Sequence, residues 1–466
     1  MPASATKALR VAVLADSDTR WKWGALTATR VRPGDTEIHL DGYLLRGRAT
    51  PTARQLREVG VSADSLREVT AVEFLRAMEG ARGEESYDVL VLALVGGGVQ
   101  AMLHGLGRVW QDRAERPVVV TGYVGVVYEK LADGLLLRHG ADLVLANSRQ
   151  DADRFRAVYE GVGADAAAVT EVALPFLGGA AYAGEPGGVD GEMPEGGEAP
   201  EGGEAPEGGG GRPYTVVFAA QPSVPDSRKD RTYLLERLIR HARLHPEREV
   251  LLKLRSKPGE HTTHIEELPY QKLVQRADPP ANFRLVYGHM GEVLDRTDLL
   301  VTVSSTAALE SLHRSVPTVV LTDLGVREAL GNHHFVGSGC LASWDQLDAG
   351  HRPAPDPEWV ARQGVAADGG YETAFDEARE RIAALLARPG GLPPLAPYYT
   401  LVTAPGYLPG ILARHHLAPD GTPLPGAPAA DKSPGPVRQV VRRAARGAYR
   451  HGVQRVAPVI RRMGEL

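Results

Sequence analysis

The segment 299–321 constrains the fold of this chain more than any other part of the sequence. An apolar run, 299–303, leads into three hydroxyl residues, 304–306, and then into a short helical pattern and a second apolar run, 318–321. This order of strand, turn, helix and strand is typical of the βαβ unit of a parallel sheet. The turn would lie at a helix N-terminus, where free backbone N–H groups and the helix dipole favour a bound phosphate. The alternative is that one hydroxyl only caps the helix.

The length and composition indicate a two-domain protein of ordinary soluble type. At 466 residues the chain exceeds one usual core, and its 43% apolar and 24% charged residues are typical of globular proteins. The single cysteine, Cys340, excludes an intramolecular disulfide and a multi-cysteine metal site. The first apolar run ends at Asp16, too early for a secretion signal, and no run approaches the roughly 18 apolar residues of a membrane span. These features predict a cytoplasmic protein.

Alternating apolar runs and helical patterns predict two parallel-sheet units separated by an acidic linker. The linker, 178–212, repeats Pro-Glu-Gly-Gly-Glu-Ala and has almost nothing to bury, so we expect a disordered spacer. The predicted strands are 9–15, 87–95, 117–121, 142–146, 214–220, 249–253, 283–286, 298–303 and 318–321. We therefore predict Rossmann-like domains over 1–177 and 213–395. A crossover segment, 396–418, would pack back on the N-terminal domain, and 419–466 would hold a flexible segment and a basic amphipathic helix.

The double serine resembles the nucleotide-sugar-binding segment of GT-B glycosyltransferases. It is most similar to the motif of bacterial sialyltransferases, capsule polymerases and CDP-glycerol glycerophosphotransferases. Over most of 8–415 the chain also resembles a group of uncharacterised glycosyltransferases of high-GC bacteria. The resemblance implies an α/β fold of GT-B type, with two Rossmann-like domains and a ligand cleft between the strand ends. It also implies that Ser304, Ser305 and Thr306 hold the donor phosphate and that Glu310 holds the ribose.

A cationic cluster follows the second predicted strand of the C-terminal unit. Lys253, Arg255 and Lys257 stand where the related families carry a His-Pro motif that supports the donor phosphate. Lys257 takes the place of the histidine, so a proton donor is missing there, and His261 or His264 would have to substitute. Cations at a strand end can still neutralise a departing phosphate. The alternative is solvated charge that alternates along an exposed strand face.

The loop after the first strand is the predicted acceptor site. It combines carboxylates with aromatic rings: rings stack on sugars, and one carboxylate would accept the proton of the acceptor hydroxyl. The alternative is that the aspartates cap the following helix. Two glycine-containing turns after later strands would allow close approach of a ligand, but they lack the spacing for a dinucleotide cofactor. The predicted residues are Asp16 and Asp18 as candidate bases, with Trp21, Trp23, Gly97 and Tyr123 on the acceptor side.

We predict no metal site and no cofactor. His333 and His334 have no further ligand at a suitable spacing, and the C-terminal half contains no Asp-x-Asp donor motif. Asp16 and Asp18 have that spelling but belong to the other predicted domain. GT-B transferases of the families named above generally work without a bound metal.

The C-terminal segment, 434–466, reverses the charge of the linker. Eight arginines face one acidic residue, Glu465, and small apolar residues recur near helical spacing. The pattern is typical of a basic amphipathic helix on an anionic membrane surface. A nucleic-acid partner is not expected because Tyr449 is the only aromatic residue in the segment. The alternative is a helix docked on the body of the protein.

The motifs together predict a metal-independent, inverting glycosyltransferase of the cell envelope. It would move a sugar from a nucleotide-sugar donor, with a preference for CMP- or CDP-linked sugars, to a glycan or glycolipid at the inner membrane face. Two alternatives stay open. A sugar-nucleotide epimerase of the same architecture needs neither an acceptor loop nor a membrane tail. A non-catalytic scaffold in wall-polymer assembly is favoured by the missing histidine.

Overall fold

The structure is a computed structural model that describes residues 8–34, 36–47, 49–126, 131–184, 212–257, 260, 268–365 and 370–426. Most of the predicted linker lies outside these described residues, as do His261, His264 and the predicted basic helix. Within the described ranges, no helix is long enough and apolar enough to cross a membrane.

The first domain is built on a parallel sheet of seven strands. Its strands are β1 (Leu9–Ala15), β2 (Ile38–Leu45), β3 (Ser65–Val69), β4 (Val89–Ala93), β5 (Val118–Gly122), β6 (Leu143–Ala146) and β7 (Val169–Glu171). Its helices are α1 (Asp18–Arg30), α2 (Ala53–Val59), α3 (Ala71–Gly80), α4 (Gly96–Trp110), α5 (Leu131–Leu136) and α6 (Arg149–Gly161). The central strands β4, β5 and β6 are buried along their whole length, as expected for a parallel sheet covered on both faces.

The second domain is built on a parallel sheet of six strands. Its strands are β8 (Thr215–Ala219), β9 (Glu249–Lys253), β10 (Phe283–Val286), β11 (Leu299–Thr302), β12 (Thr318–Leu321) and β13 (Leu341–Ala342). The helices that follow β8 are α7 (Arg228–Leu244), α8 (Tyr270–Val274), α9 (Met290–Leu294), α10 (Ala307–His313), α11 (Trp344–Asp348), α12 (Pro357–Arg362), α13 (Gly370–Thr373), α14 (Asp376–Leu386) and α15 (Leu408–Ala413).

The strand order reverses beside the first strand of each sheet. The order is β3-β2-β1-β4-β5-β6-β7 in the first domain and β10-β9-β8-β11-β12-β13 in the second. Such a switch point opens a crevice at the carboxyl ends of the strands, where ligands of parallel α/β proteins bind. The predicted fold class, α/β with two Rossmann-like domains of GT-B type, is confirmed.

All nine predicted strands are present, four of them with the predicted bounds. The structure adds β2, β3, β7 and β13, which the sequence pattern did not reveal. Polar residues interrupt β2, and β3 is exposed along most of its length at the edge of the sheet. The other two are only three and two residues long. Short or polar edge strands lack the apolar run on which the prediction relied.

The chain returns to the first domain after the second sheet. Helix α14 packs against β5 and β7, and its Ile382 is buried in the core on one face of the first sheet. Helix α15 packs against α4, with Leu408 and Leu412 in the core on the opposite face. The return thus begins before the predicted crossover segment, 396–418. The amphipathic pattern of α14 indicates a buried face but does not indicate which sheet that face covers.

Candidate active site

A cavity of about 720 Å³ lies between the two domains, at the carboxyl ends of both sheets. The first domain lines it with α1, α2 and the loop after β5. The second domain lines it with the loops that follow β8, β9, β10 and β11. Of the residues predicted from the sequence, those that line the cavity are Asp18, Tyr123, Lys253, Arg255, Ser304, Ser305, Thr306 and Glu310.

The two serines after β11 differ in their surroundings. Ser304 is buried, its hydroxyl donates to the Leu330 carbonyl at 2.5 Å, and its N–H donates to the Gln221 side-chain oxygen at 3.0 Å. These bonds fix the turn, so Ser304 has a structural role whatever else it does. Ser305 is only partly buried, and its hydroxyl accepts a hydrogen bond from the Ala307 N–H at 3.2 Å. That bond is the helix-capping alternative, and it leaves the hydroxyl proton of Ser305 available to a ligand.

Thr306 lies where the two domains approach each other. It precedes α10, and its side chain makes no capping hydrogen bond. A Cβ atom built on Gly125, in the loop after β5, would lie 3.1 Å from the Thr306 hydroxyl oxygen. A larger residue at position 125 would therefore press against this hydroxyl and narrow the cavity.

The three predicted cations do not act together. The Lys253 ammonium donates to the Leu254 carbonyl at 2.9 Å, and burial lowers the pKa of Lys253 to about 8. Arg255 extends across the cavity to the first domain. Lys257 is exposed, does not line the cavity, and holds its ammonium 5.6 Å from the centre of the Tyr287 ring. The predicted donor role of Lys257 is therefore corrected, because Lys253 and Arg255 line the cavity and Lys257 does not.

Glu310 faces the first domain from α10. Its carboxylate lies 3.8 Å from the Lys22 ammonium, which in turn lies 4.7 Å from the centre of the Phe176 ring. Burial raises the pKa of Glu310, while the charges of Lys22, Arg314 and Lys253 oppose that shift. The carboxylate therefore sits close to three cations at the edge of the cavity.

Asp18 is bound to a cation of the opposite domain. Its carboxylate accepts a hydrogen bond from Arg255 at 2.7 Å, and Arg255 also contacts the Thr19 hydroxyl. Burial alone would raise the pKa of Asp18, but the Arg255 charge and hydrogen bonds outweigh it, so the pKa is lowered. Asp18 begins α1, whose cap is the Ser17 hydroxyl, so the helix starts directly after β1.

The remaining acceptor-loop predictions are corrected. Asp16 does not line the cavity: it binds Arg20 at 2.8 Å and the Val95 N–H at 3.2 Å. Trp21 and Trp23 are 1% and 0% exposed, so neither ring can stack on a sugar. The reason is that the segment is a helix rather than a loop, and both tryptophan rings are buried in the core between α1 and its neighbours.

The two glycine-containing turns behave differently from each other. A Cβ atom on Gly97 would lie 3.7 Å from Ile411 of α15, and Gly97 does not line the cavity, so its predicted acceptor role is corrected. Tyr123 lines the cavity, and the Arg138 guanidinium lies 4.0 Å from its ring centre. The Asn147 side chain donates to the Tyr123 carbonyl at 2.6 Å and so holds this wall of the cavity in place.

Sequence reasoning missed several polar residues that line the cavity. His289, in the loop after β10, is half-buried, and burial lowers its pKa, so the imidazole is mainly neutral at pH 7. The sequence feature that could have identified His289 is its position just beyond the predicted strand 283–286. Lys22 and Gln221 were also missed. The sequence indicates them less clearly, because their partners, Glu310 and Ser304, lie in distant segments of the chain.

Among the described residues, one cluster has metal-ligand geometry, and it lies outside the cavity. His241, His245 and Asp348 place ligand atoms within 4.8 Å of one another. Arg237 donates to Asp348 at 3.1 Å, and Arg248 lies 3.4 Å from the His241 ring nitrogen. Two cations therefore already occupy the groups that a metal ion would need, which favours a hydrogen-bonded structural cluster.

Several solved structures of low sequence identity are similar to this chain over most of its length. The MnaA protein of S. aureus, solved with UDP, is 11% identical, with 80% of this chain and 95% of that chain covered and a TM-score of 0.46. The glycosyltransferase of kitacinnamycin is 15% identical, with 81% and 95% covered and a TM-score of 0.40. The UDP-GlcNAc 2-epimerase of Neisseria meningitidis, solved with UDP-GlcNAc, is 9% identical, with 80% and 100% covered and a TM-score of 0.44.

Curated protein sequences contain no match to this chain. A family model described as "Putative glycosyltransferase (DUF6716)" matches residues 11–385, which include all but the first two residues of the two sheets and every residue that lines the cavity. The chain therefore belongs to this glycosyltransferase family.

Proposed function

We propose that the protein transfers a sugar from a nucleotide-sugar donor, held in the interdomain cavity, to an acceptor that approaches along the first domain. One observation carries the proposal. Hydroxyls at the end of β11, cations at the end of β9 and a carboxylate on α1 line the same cavity from opposite domains. Phosphate-binding and proton-accepting groups thus face each other across a space large enough for a ligand.

The second domain supplies the donor-binding groups. Ser305 and Thr306 would donate hydroxyl hydrogen bonds to the donor phosphate, while Arg255 and Lys253 would balance its charge. Glu310 would accept hydrogen bonds from the ribose hydroxyls. Ser304 would act indirectly, because its hydrogen bonds to Leu330 and Gln221 hold the turn in position.

Asp18 is the proposed base, and donor binding would release it. In the free protein Arg255 neutralises Asp18. A donor phosphate competes for Arg255, so the carboxylate becomes available to the acceptor hydroxyl. Asp18 then takes the hydroxyl proton while the acceptor oxygen bonds to the sugar C1 and the bond from C1 to the phosphate oxygen breaks. This single displacement inverts the configuration at C1.

The proposed acceptor is a glycan or glycolipid of the cell envelope. The basic segment 434–466 carries eight arginines and suits an anionic inner membrane face. A peripheral position there would bring the cavity close to a membrane-bound acceptor.

The test is a binding screen by thermal shift with CMP, CDP, UDP and GDP. We expect cytidine nucleotides to stabilise the protein most. The double variant Ser305→Ala/Thr306→Ala should weaken nucleotide binding by about 1–3 kcal/mol with little loss of stability, since it removes charge-assisted hydrogen bonds. The matched control Ser304→Ala should lower the melting temperature instead. Undiminished nucleotide affinity in the folded double variant would leave Ser305 with its capping role only and Thr306 with no role in binding.

An epimerase is the second candidate, and one observation favours it. Both tryptophans expected to bind an acceptor are buried. Donor sugar incubated alone and followed by NMR separates the candidates: an epimerase yields the epimeric nucleotide sugar, whereas a transferase needs an acceptor and releases free nucleotide. A scaffold would do neither.

A further inference from the structure

The segment between α14 and α15 carries an exposed apolar tip on the first domain. Leu401 and Val402 are 48% and 91% exposed, and Val402 is the most exposed large hydrophobic side chain of the described residues. The segment is nevertheless well anchored, because Ala404 and Leu408 on its far side are buried in the core of the first domain. The apolar side chains are therefore presented to the outside by a fixed support.

Hydrogen bonds within the segment pair four backbone N–H groups at and around the tip. Thr400 accepts at its side chain from the N–H groups of Val402 and Thr403 at 3.2 and 3.1 Å. Thr403 accepts from the Thr400 N–H at 2.8 Å and donates to the Tyr398 carbonyl at 2.8 Å. The Ala404 N–H donates to the Thr400 carbonyl at 2.8 Å. Each N–H group that is paired within the loop lowers the free-energy cost of moving the loop out of water.

Aromatic side chains flank the tip. Tyr399 contacts both Tyr398 and Tyr407 edge-to-face, with ring centres 5.3 Å apart in each pair. The hydroxyls of Tyr399 and Tyr407 both donate to Asp133, so their polar ends point back to the protein. Tyrosine with one wet end and one apolar body is the residue enriched at membrane–water interfaces.

The segment that carries the tip and the last described residues contact the same helix, α4. His104 of α4 contacts the Tyr399 carbonyl at 2.9 Å, and a Cβ atom on Gly421 would lie 2.8 Å from the His104 carbonyl. The chain therefore leaves the described residues, after 426, from the helix that supports the tip. The following residues include the eight arginines of 434–466.

We propose that the Leu401–Val402 tip inserts into the apolar part of a lipid bilayer. The exposed side chains of the tip suit insertion into a partner, and the eight arginines that follow in the sequence favour an anionic lipid surface over a protein. The tip supplies apolar attraction that is independent of salt, and the arginines supply attraction that salt screens. This inference stands apart from the donor chemistry, because lipid binding requires no nucleotide.

The test is co-sedimentation of the full chain with vesicles, without nucleotide. Vesicles of phosphatidylcholine alone are compared with vesicles that also contain phosphatidylglycerol. The double variant Leu401→Ser/Val402→Ser should lower partition into both kinds of vesicle by about tenfold or more, the scale of burying one to two aliphatic side chains. High salt should lower only the additional binding to anionic vesicles.

The matched control is Leu244→Ser/Val336→Ser, which removes two aliphatic side chains of 52% and 59% exposure from the second domain. It should leave partition unchanged, and thermal unfolding should show both double variants folded. Equal vesicle binding by the tip variant and the wild type would overturn the inference. So would a dimer of the wild-type chain that the tip variant dissociates, because the tip would then bind a second copy.

Discussion

At the residue scale, the cavity contains a buried amine without a carboxylate partner at hydrogen-bond distance. Lys253 is 8% exposed and donates to one backbone carbonyl. The nearest compensating charges, Glu58 and Glu310, raise its pKa less than burial lowers it. An anionic ligand would supply the missing negative charge and return the pKa of Lys253 toward its usual range.

Lys253 should make nucleotide affinity depend on pH. Only the protonated amine attracts phosphate, and the pKa of Lys253 in the free protein is about 8. Affinity should be constant below pH 7 and fall about fivefold between pH 8 and 9. Without ligand, the free energy of unfolding should rise over the same pH range in which nucleotide affinity falls. The unfolded chain holds more protons above pH 8, so stability rises with pH until the usual lysine pKa. Titration calorimetry across this pH range measures the affinity, and urea unfolding measures the stability, with Lys253→Met as the control without a titrating amine.

The pairing of Asp18 with Arg255 predicts separate effects on binding and transfer. Asp18→Asn should lower transfer by about 10²-fold or more, the usual contribution of a general base, while nucleotide binding stays the same or tightens because Arg255 is freed. Asp16→Asn is the matched control: it lies outside the cavity and should keep near-wild-type transfer. Steady-state kinetics and direct binding measurements on both variants decide the matter. Near-wild-type transfer by Asp18→Asn would remove Asp18 as the base.

At the element scale, α1 divides its residues between cavity and core. Positions 18, 19 and 22 form one stripe that lines the cavity, whereas 21, 24, 25 and 28 form a second stripe buried on the sheet. Trp23 also points inward and donates to the Asn147 side chain at 3.2 Å. The helix therefore presents Asp18 and Lys22 to the cavity and its tryptophan rings to the core.

Trp23 should matter for stability rather than for acceptor binding. Trp23→Phe removes a buried hydrogen bond and some packing volume, and it should lower the free energy of unfolding by about 1–3 kcal/mol. The KM for the acceptor should not change. Urea unfolding and acceptor kinetics measure the two quantities; a raised KM at unchanged stability would instead support contact between this ring and a sugar.

The sequence revealed the sheets far better than it revealed the site. Long apolar runs such as β1 and β9 need no distant partner to be recognised, and residues just beyond them, such as Ser305, reach the cavity because parallel strands share a carboxyl edge. The partners of Asp18 and Lys22 lie more than 200 residues away in sequence, so their ion pairs were not predictable. Whether Trp21 and Trp23 are buried or exposed depended on where α1 begins, and helix boundaries are the least predictable property of a helix.

At the scale of the whole molecule, three ion pairs join the domains around the cavity. Arg255 pairs with Asp18, Lys22 with Glu310, and Arg54 with Glu260. Each pair takes one charge from each domain. A ligand that competes for these charges would therefore weaken the polar contacts between the domains, which add to the apolar contacts of the core that both domains share.

The Arg54–Glu260 pair tests the contribution of these polar contacts away from the proposed donor and acceptor groups. Arg54→Glu should separate the domains, and the double variant Arg54→Glu/Glu260→Arg should restore the wild-type arrangement, with a coupling energy on the order of 1 kcal/mol. Small-angle scattering measures the separation, and thermal unfolding gives the coupling. Identical scattering from the wild type and Arg54→Glu would show that this pair does not set the domain distance.

The late return of the chain sets the order in which the two domains can fold during synthesis. Two hydrophobic cores of the second domain contain no first-domain residue. Their buried residues all lie between 216 and 347. Both cores of the first domain include late residues, Phe375 and Ile382 on one face and Leu408 and Leu412 on the other. The strands of the first domain therefore stay incompletely covered until the ribosome has made the second domain. The domain that begins the chain is the last to be completed.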